Sequence, residues 1–220
     1  MTSENGNNSD TPGFTFRGGS SSQKANFARI HSRMVSGWGG QLQFKVKNDT
    51  GSLSDAYQTA MIMDHNSVVT KPNQVGFYAT ANSGGTVSMT STHTLTNWRL
   101  STTGKTYNIG GHFNTTNGRF TAPVAGQYLF TGSILLSGYD QASGIHVSWR
   151  KNGSVFQYWY NTRTSDIDRS GYGGYLAQGS TTTFTLSAND YIDVACNFSG
   201  SLSLWCGDSN WGHFSCHLLG

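Results

Sequence analysis

Charge is what this chain has least of. Only 11% of its 220 residues are Asp, Glu, Lys or Arg, against roughly 25% in an average soluble domain. The 14 basic and 11 acidic residues leave a net charge of +3. So mild an excess, with no block of like charge, offers neither nucleic acid nor an anionic membrane a basic patch. No apolar run approaches the ~18 residues that a membrane-spanning helix needs. Residues 1–10, MTSENGNNSD, contain neither the basic nor the apolar segment of a secretory signal, so synthesis in the cytoplasm is expected. Cysteine is scarce too: Cys196, Cys206 and Cys216 are the only three. An odd count cannot complete a disulfide framework, and the spacing fits no zinc site. Buried thiols acting as small apolar side chains are expected instead.

In place of charge the chain has 28 glycines, many Ser, Thr and Asn, and 13% aromatics. Short polar residues serve tight turns, and aromatic and β-branched residues fit pleated surfaces, so an all-β protein with almost no helix is expected. Residues 1–12 read as a disordered N-terminus. Residues 13–70 read as a small β-rich module. Its strands fall at 14–17, 27–32, 41–47 and 60–64, separated by turns at 18–22, 37–40 and 48–51. Leu42, Phe44 and Val46 alternate with Gln41, Gln43, Lys45 and Lys47, which places the apolar set on one face. The module has too few apolar positions to close a core alone, and sharing a core between copies is a physical remedy. Lys71, Pro72 and Asn73 mark a boundary. Beyond it about ten short strands at regular spacing predict a sandwich or jelly roll over residues 74–220. Lys151, Asn152 and Gly153 signal a two-residue hairpin between 145–151 and 155–160.

Specific residues then add to periodicity. The run FNTTNGRFTAPVAGQYLF at 113–130 closely resembles the C1q-domain signature, in which Gly-[Lys/Arg]-Phe-Thr-x-Pro-x-x-Gly-x-Tyr-x-Phe follows an aromatic, an Asn and a few turn residues. The hairpin at 145–155 and the Leu186 to Val194 unit occur in the family's order, with Asn189 standing where the family usually has Gly. Residues 214–219 resemble its terminal strand, with Cys216 in place of a Gly. The resemblance implies an all-β, ten-stranded jelly-roll head that assembles as a homotrimer. Pro123 fixes φ, and Gly126 is expected to supply a φ above zero for the turn between strands. Phe120, Tyr128, Phe130, Phe214 and Leu218 are expected to fill core and trimer seam. The N-terminal segments GFTFRGG, GGQLQF and AMIMD resemble virion-fibre proteins of bacteriophages. That resemblance implies a docking and trimerising role for residues 13–70. No collagen-like Gly-X-Y stalk precedes the head, unlike animal relatives.

Catalytic chemistry finds little support. The seven histidines are scattered. His213 and His217, four apart on a strand, lie roughly 13 Å from each other, too far to share an ion. Asp166 and Asp168, between Arg163 and Arg169, are candidate calcium ligands, although a solvated loop with local salt bridges is the preferred reading. No cofactor or metal is expected. Tyr158, Trp159, Tyr160, Tyr172 and Tyr175 form the candidate receptor surface, since aromatics on rigid elements stack on sugar rings or anchor proteins. For any single one of them a buried sandwich position is the plainer reading. The expectation is therefore a structural virion protein, a fibre or decoration protein, made in the host cytoplasm. It would meet other virion proteins through its N-terminal module and a host glycan or protein through its head. A cellular C1q-like lectin is the alternative. A glycan-degrading enzyme, which needs paired carboxylates in a cleft, stands further off.

Overall fold

A computed structural model of the chain describes residues 10–18, 25–34, 40–47, 57–82, 84–89, 91–101, 104–138, 142–162, 174–206 and 210–220. Nineteen strands and no helix occur among them. The chain divides into two compact units, Met1–Gln74 and Val75–Gly220.

The first unit is one antiparallel meander of β1 (Asp10–Gly18), β2 (Ala25–Met34), β3 (Gly40–Lys47), β4 (Tyr57–Met63) and β5 (Val69–Thr70). Its expected turns at 18–22, 37–40 and 48–51 lie, apart from Gly18 and Gly40, outside the described residues. Directly opposed residues share a face of a sheet, and here register sorts the chemistry. Phe14, Ile30, Phe44 and Met61 form one row across four strands. Phe16, Ala28 and Val46 form the next, and Leu42 opposes Met63. The other face carries Thr15, Arg29 and Lys45 in one row and His31 and Gln43 in another. On it the His31 and Gln43 side chains meet at 3.2 Å, and the Arg29 guanidinium lies 4.3 Å from the Tyr57 ring centre. Polar His31 and Gln43 are buried while Phe14 is 68% exposed and Phe16 53%, an inversion of the usual order.

The second unit is a sandwich. Its first sheet holds β6 (Gly76–Ala81), β7 (Gly85–Met89), β9 (Trp98–Arg99), β10 (Tyr107–Ile109), β13 (Gly126–Ser137), β16 (Tyr175–Leu186), β18 (Leu202–Cys206) and β19 (His213–Leu218). Its second holds β8 (Thr92–Thr94), β11 (Phe113–Asn114), β12 (Arg119–Thr121), β14 (Ala142–Lys151), β15 (Ser154–Thr162) and β17 (Tyr191–Gly200). All pairings are antiparallel, and the chain passes back and forth between the sheets, as in a jelly roll. Two- and three-residue strands, β8 to β12, lengthen the sheets beyond the ten strands read from periodicity. Central β13 runs its full length against β16 on one side and against β19 and β18 on the other.

The core between the sheets is aromatic. Phe77 stacks on Phe113 at 4.2 Å and meets Phe214 edge-on at 4.9 Å, while Phe130 touches Phe120, Trp149, Phe184 and Phe214. Each such ring, fully buried, contributes about 1.5–3 kcal/mol. Phe120, Tyr128, Phe130 and Phe214 are wholly inside one copy, which leaves Leu218, half-buried at the core's edge, as the one of these five with surface for a neighbour. The Tyr128 hydroxyl donates to the Val124 carbonyl at 2.7 Å, tying the Pro123 turn to the strand that follows.

Two glycines of the signature do different work from one another. Gly118 has φ +67, and an added Cβ would run into the Leu95 carbonyl oxygen. Gly126, expected to supply a positive φ, is not in that region. Its need is space, because a Cβ there would sit 2.9 Å from the Gly220 oxygen, where the C-terminus closes on β13 through a Gln127 N–H to Gly220 bond of 2.8 Å. Asn189, in the family's Gly position, has φ 72, a conformation that Asn tolerates better than other side chains.

The Lys151 hairpin turns through Asn152 (φ 52) and Gly153 (φ 83), the mirror-image turn that suits twisted strands. It is clipped to the 187–190 turn. Lys151 Nζ reaches the Asp190 carboxylate at 2.8 Å, Asn152 donates to it at 2.8 Å, and the Ser187 N–H does the same. These donors, Lys151 foremost, hold the Asp190 carboxyl down at about 2. Cys196, Cys206 and Cys216 are free and buried. Burial pushes the Cys196 thiol up to about 12, Cys206 to about 11, and Cys216 higher still.

Candidate binding site

The expected aromatic surface separates into distinct places. Tyr158, on edge strand β15, is exposed and packs its ring at 5.8 Å from His146. Beside it on the same strand are exposed Val155 and Phe156, the latter edge-on to Phe184. Trp159 points the other way, as strand alternation requires, and its indole packs 4.5 Å from Trp149 and over Gly132. It is thus a core-flanking side chain and not a free receptor contact. Tyr160 lies within β15, but its side chain is outside the described residues, as is all of Tyr172. Asp166 and Asp168 also lie outside them. Among the described residues no group of three or more His, Cys, Asp or Glu gathers to hold a metal.

Tyr175 belongs elsewhere. Gln157, next to Tyr158, receives a 2.7 Å hydrogen bond from Thr182. Tyr175 lies seven residues along β16 from Thr182, about 23 Å at strand spacing. There it meets Trp205 of β18 edge-on at 5.5 Å. Register builds the rest of the site. Ser88 opposes Ser203, Ser203 opposes Ser137, and Ser137 opposes Tyr175, so three hydroxyls and a phenol form one row across β7, β18, β13 and β16. Their neighbours Leu136, Leu202 and Leu204 are buried on the opposite, core side. At its Ser88, Ser203 and Ser137 end the row reaches an open cleft of about 320 Å3 at the end of the sheet, where Gly138, Gly200 and Ser201 also line it and Met89 and Leu202 reach it from the core side, whereas Tyr175 and Trp205 stand outside its lining. Hydroxyls that donate and accept, set beside an upright aromatic pair, can hold the hydroxyl groups and the apolar face of a sugar ring or a small polar peptide.

Sequence reading found Tyr175 but missed Trp205 and the serines. A Ser-x-Ser alternation within 201–205 was visible. The pairing of β18 with both β7 and β13, which lines those serines up with Tyr175, depends on chain crossings that no local pattern encodes.

Further along the same face of this sheet lies a polar network. His213 stacks on Tyr78 at 5.2 Å and is held by Ser133 at 2.8 Å and Thr131 at 3.2 Å. His217 shares a 2.8 Å hydrogen bond with the Tyr107 hydroxyl. Burial lowers the pKa of His213. These histidines are engaged with hydroxyls, and among the described residues neither has an ion pair with a carboxylate. On the second sheet, fully buried Asp193 accepts from Arg150 Nε at 2.7 Å and Arg119 Nε at 3.2 Å. Arg119 also lies over the Tyr191 ring at 4.2 Å. Asp193 and Asp190 are each committed to such local partners.

Residues 84–181 match the family model of the C1q domain. The second unit is a C1q-like jelly roll. A curated relative, the uncharacterized protein YqcC of Bacillus subtilis (strain 168), is 29% identical over 94 residues. Those residues are 42% of this chain and 25% of the relative, so the match spans a quarter of that protein's length. Among solved structures, the Eiger TNF from S. frugiperda is 15% identical, with a TM-score of 0.43 over 67% of this chain and 94% of that one.

Proposed function

We propose that this protein is a non-enzymatic structural protein of a phage virion, a fibre or decoration protein. Its C1q-like head, as a homotrimer, attaches to a glycan or protein of the host surface. The observation that carries the binding role is the row of Ser88, Ser203 and Ser137, which opens on a cleft at one end and meets the Tyr175 and Trp205 ring pair at the other. An attachment site of this size binds weakly, and three copies on one body raise the strength by avidity. What supports the virion setting is the likeness of the N-terminal strand segments to phage fibre proteins. What speaks against catalysis is the engagement of Asp190 and Asp193 with cationic partners rather than with a cleft.

A second reading is a cellular C1q-like binding module, for which the relative in a cellular bacterium, Bacillus subtilis, speaks. Purified full-length protein incubated with host cells separates binding from no binding. Wild type should be retained and Tyr175→Ala should lose most of the retention. Equal retention of the two removes the cleft from the account. Mass spectrometry of purified phage particles should detect the chain, and its presence only in cell envelopes would favour the second reading. Release of reducing sugar ends from host polysaccharide would overturn the non-enzymatic claim.

A further inference from the structure

A lone sheet with one apolar and one basic face has to put the apolar face somewhere. The described strands β1 to β4 present the Phe14, Ile30, Phe44, Met61 row with Phe16 and Val46 beside it, and no charged side chain interrupts these rows. Arg29, His31 and Lys45 all fall on the other face, with exposed Phe27 among them, and Arg17, opposite Asn26, is the one cation of β1 at the border of the apolar face. From these observations we infer that the apolar face of the first unit is closed by the same face of sister copies of this chain. This builds on the homotrimer reading of the head.

Three arguments select a second copy as the occupant. Symmetric self-association requires a surface that does not repel itself. The apolar face meets that condition and the basic face does not. The area is sufficient: β1 to β4, of 9, 10, 8 and 7 residues in turn and about 4.8 Å apart, cover roughly 540 Å2, so two faces bury roughly 1,100 Å2, just above the ~1,000 Å2 that a specific interface needs. The third argument is concentration. Copies joined through their heads would hold their first units at millimolar effective concentration, where even a modest apolar contact closes. Exposed Phe14 and Phe16, anomalous in a single copy, then become interior side chains of the assembly.

The first unit has no cysteine, and the three elsewhere are buried, so an introduced thiol reports its own surroundings. Phe14→Cys and Thr15→Cys replace adjacent exposed residues on opposite faces of β1. In full-length protein, maleimide should label Phe14→Cys at least about tenfold more slowly than Thr15→Cys, because a buried site reacts only from its open population. Leu42→Cys against Gln41→Cys repeats the comparison on β3 if either β1 variant misfolds. Equal labelling rates in a trimeric preparation overturn the inference and leave the homotrimer standing. Slow labelling in a preparation whose mass is a dimer supports the shared face and overturns the homotrimer. Slow labelling in a monomer means that the chain covers its own face, which overturns the inference. Equal rates that diverge only on adding phosphatidylcholine–phosphatidylglycerol vesicles point to a lipid surface and overturn it too.

Discussion

Replacing Asp193 by Ala should be among the most damaging single changes in the second unit. The carboxylate is fully buried, and it holds Arg150, whose side chain is 15% exposed, at 2.7 Å. Removing one partner of a buried pair costs about 3–5 kcal/mol, because the remaining charge is stranded. Arg119 adds little. It is 38% exposed, its pairing is worth about 0–1 kcal/mol, and it keeps the Tyr191 ring. Arg150 also keeps its 2.7 Å bond to the Thr94 hydroxyl, which softens the loss. A destabilisation of about 3 kcal/mol follows, or a Tm lower by roughly 6–12 °C for a unit of this size. Calorimetry at fixed protein concentration and neutral pH would measure it, and 1 M salt should leave the difference nearly intact, since buried pairs are poorly screened. A double-mutant cycle with Arg150→Met isolates the coupling. A loss under about 1 kcal/mol, or one abolished by salt, would refute the reasoning and reduce the cluster to an ordinary surface pair.

Other outcomes follow from single positions. Gly118→Ala should cost more than ~1 kcal/mol in denaturant melts, since it faces both a left-handed φ and the Leu95 carbonyl. Gly126→Ala should be damaging chiefly through the Gly220 backbone, since its other close neighbour is the movable end of the Leu218 side chain, so deleting Gly220 should relieve most of it and should not relieve Gly118→Ala. Burial lowers the pKa of both His93 and His213 below the usual 6.5. The unfolded chain therefore binds protons first as the solution is acidified. The stability these neutral histidines contribute is complete above pH 6.5 and declines as pH falls below it, so Tm should be lower at pH 5 than at pH 7.5. A Tm that rises over that interval would contradict the burial of these rings. Cys196, Cys206 and Cys216, with thiols pushed far above their ordinary range, should resist Ellman's reagent at pH 8 until denaturant is added.

Much of the second unit was readable along the chain, because its signals are local. The Phe113 to Phe130 run states a turn, four core aromatics and the start of a central strand in consecutive residues. Asn152 and Gly153 specify their hairpin outright. Asn189 could be matched to a Gly position, and its φ explains the substitution. The error at Gly126 shows where local reading stops: its restriction comes from Gly220, nearly a hundred residues away. The candidate site was legible only in part for the same reason. Tyr175 is an aromatic among glycines and invites notice, whereas Ser88, Ser137 and Ser203 acquire meaning only from register between strands distant in sequence. Grouping Tyr158 with Tyr175 failed because β15 belongs to one sheet and β16 to the other, and no local pattern tells which sheet a strand joins. In the first unit alternation marked the apolar face of β3, but that the described strands all join one sheet could be seen only from their pairing.

The homotrimer is the claim on which avidity, the shared sheet face and the attachment role all rest. Light scattering on the purified full-length chain, over a range of concentrations, tests it most directly. The account predicts a mass three times the 23.8 kDa of one chain, persisting on dilution to nanomolar concentration. A particle of 23.8 kDa under those conditions would contradict it.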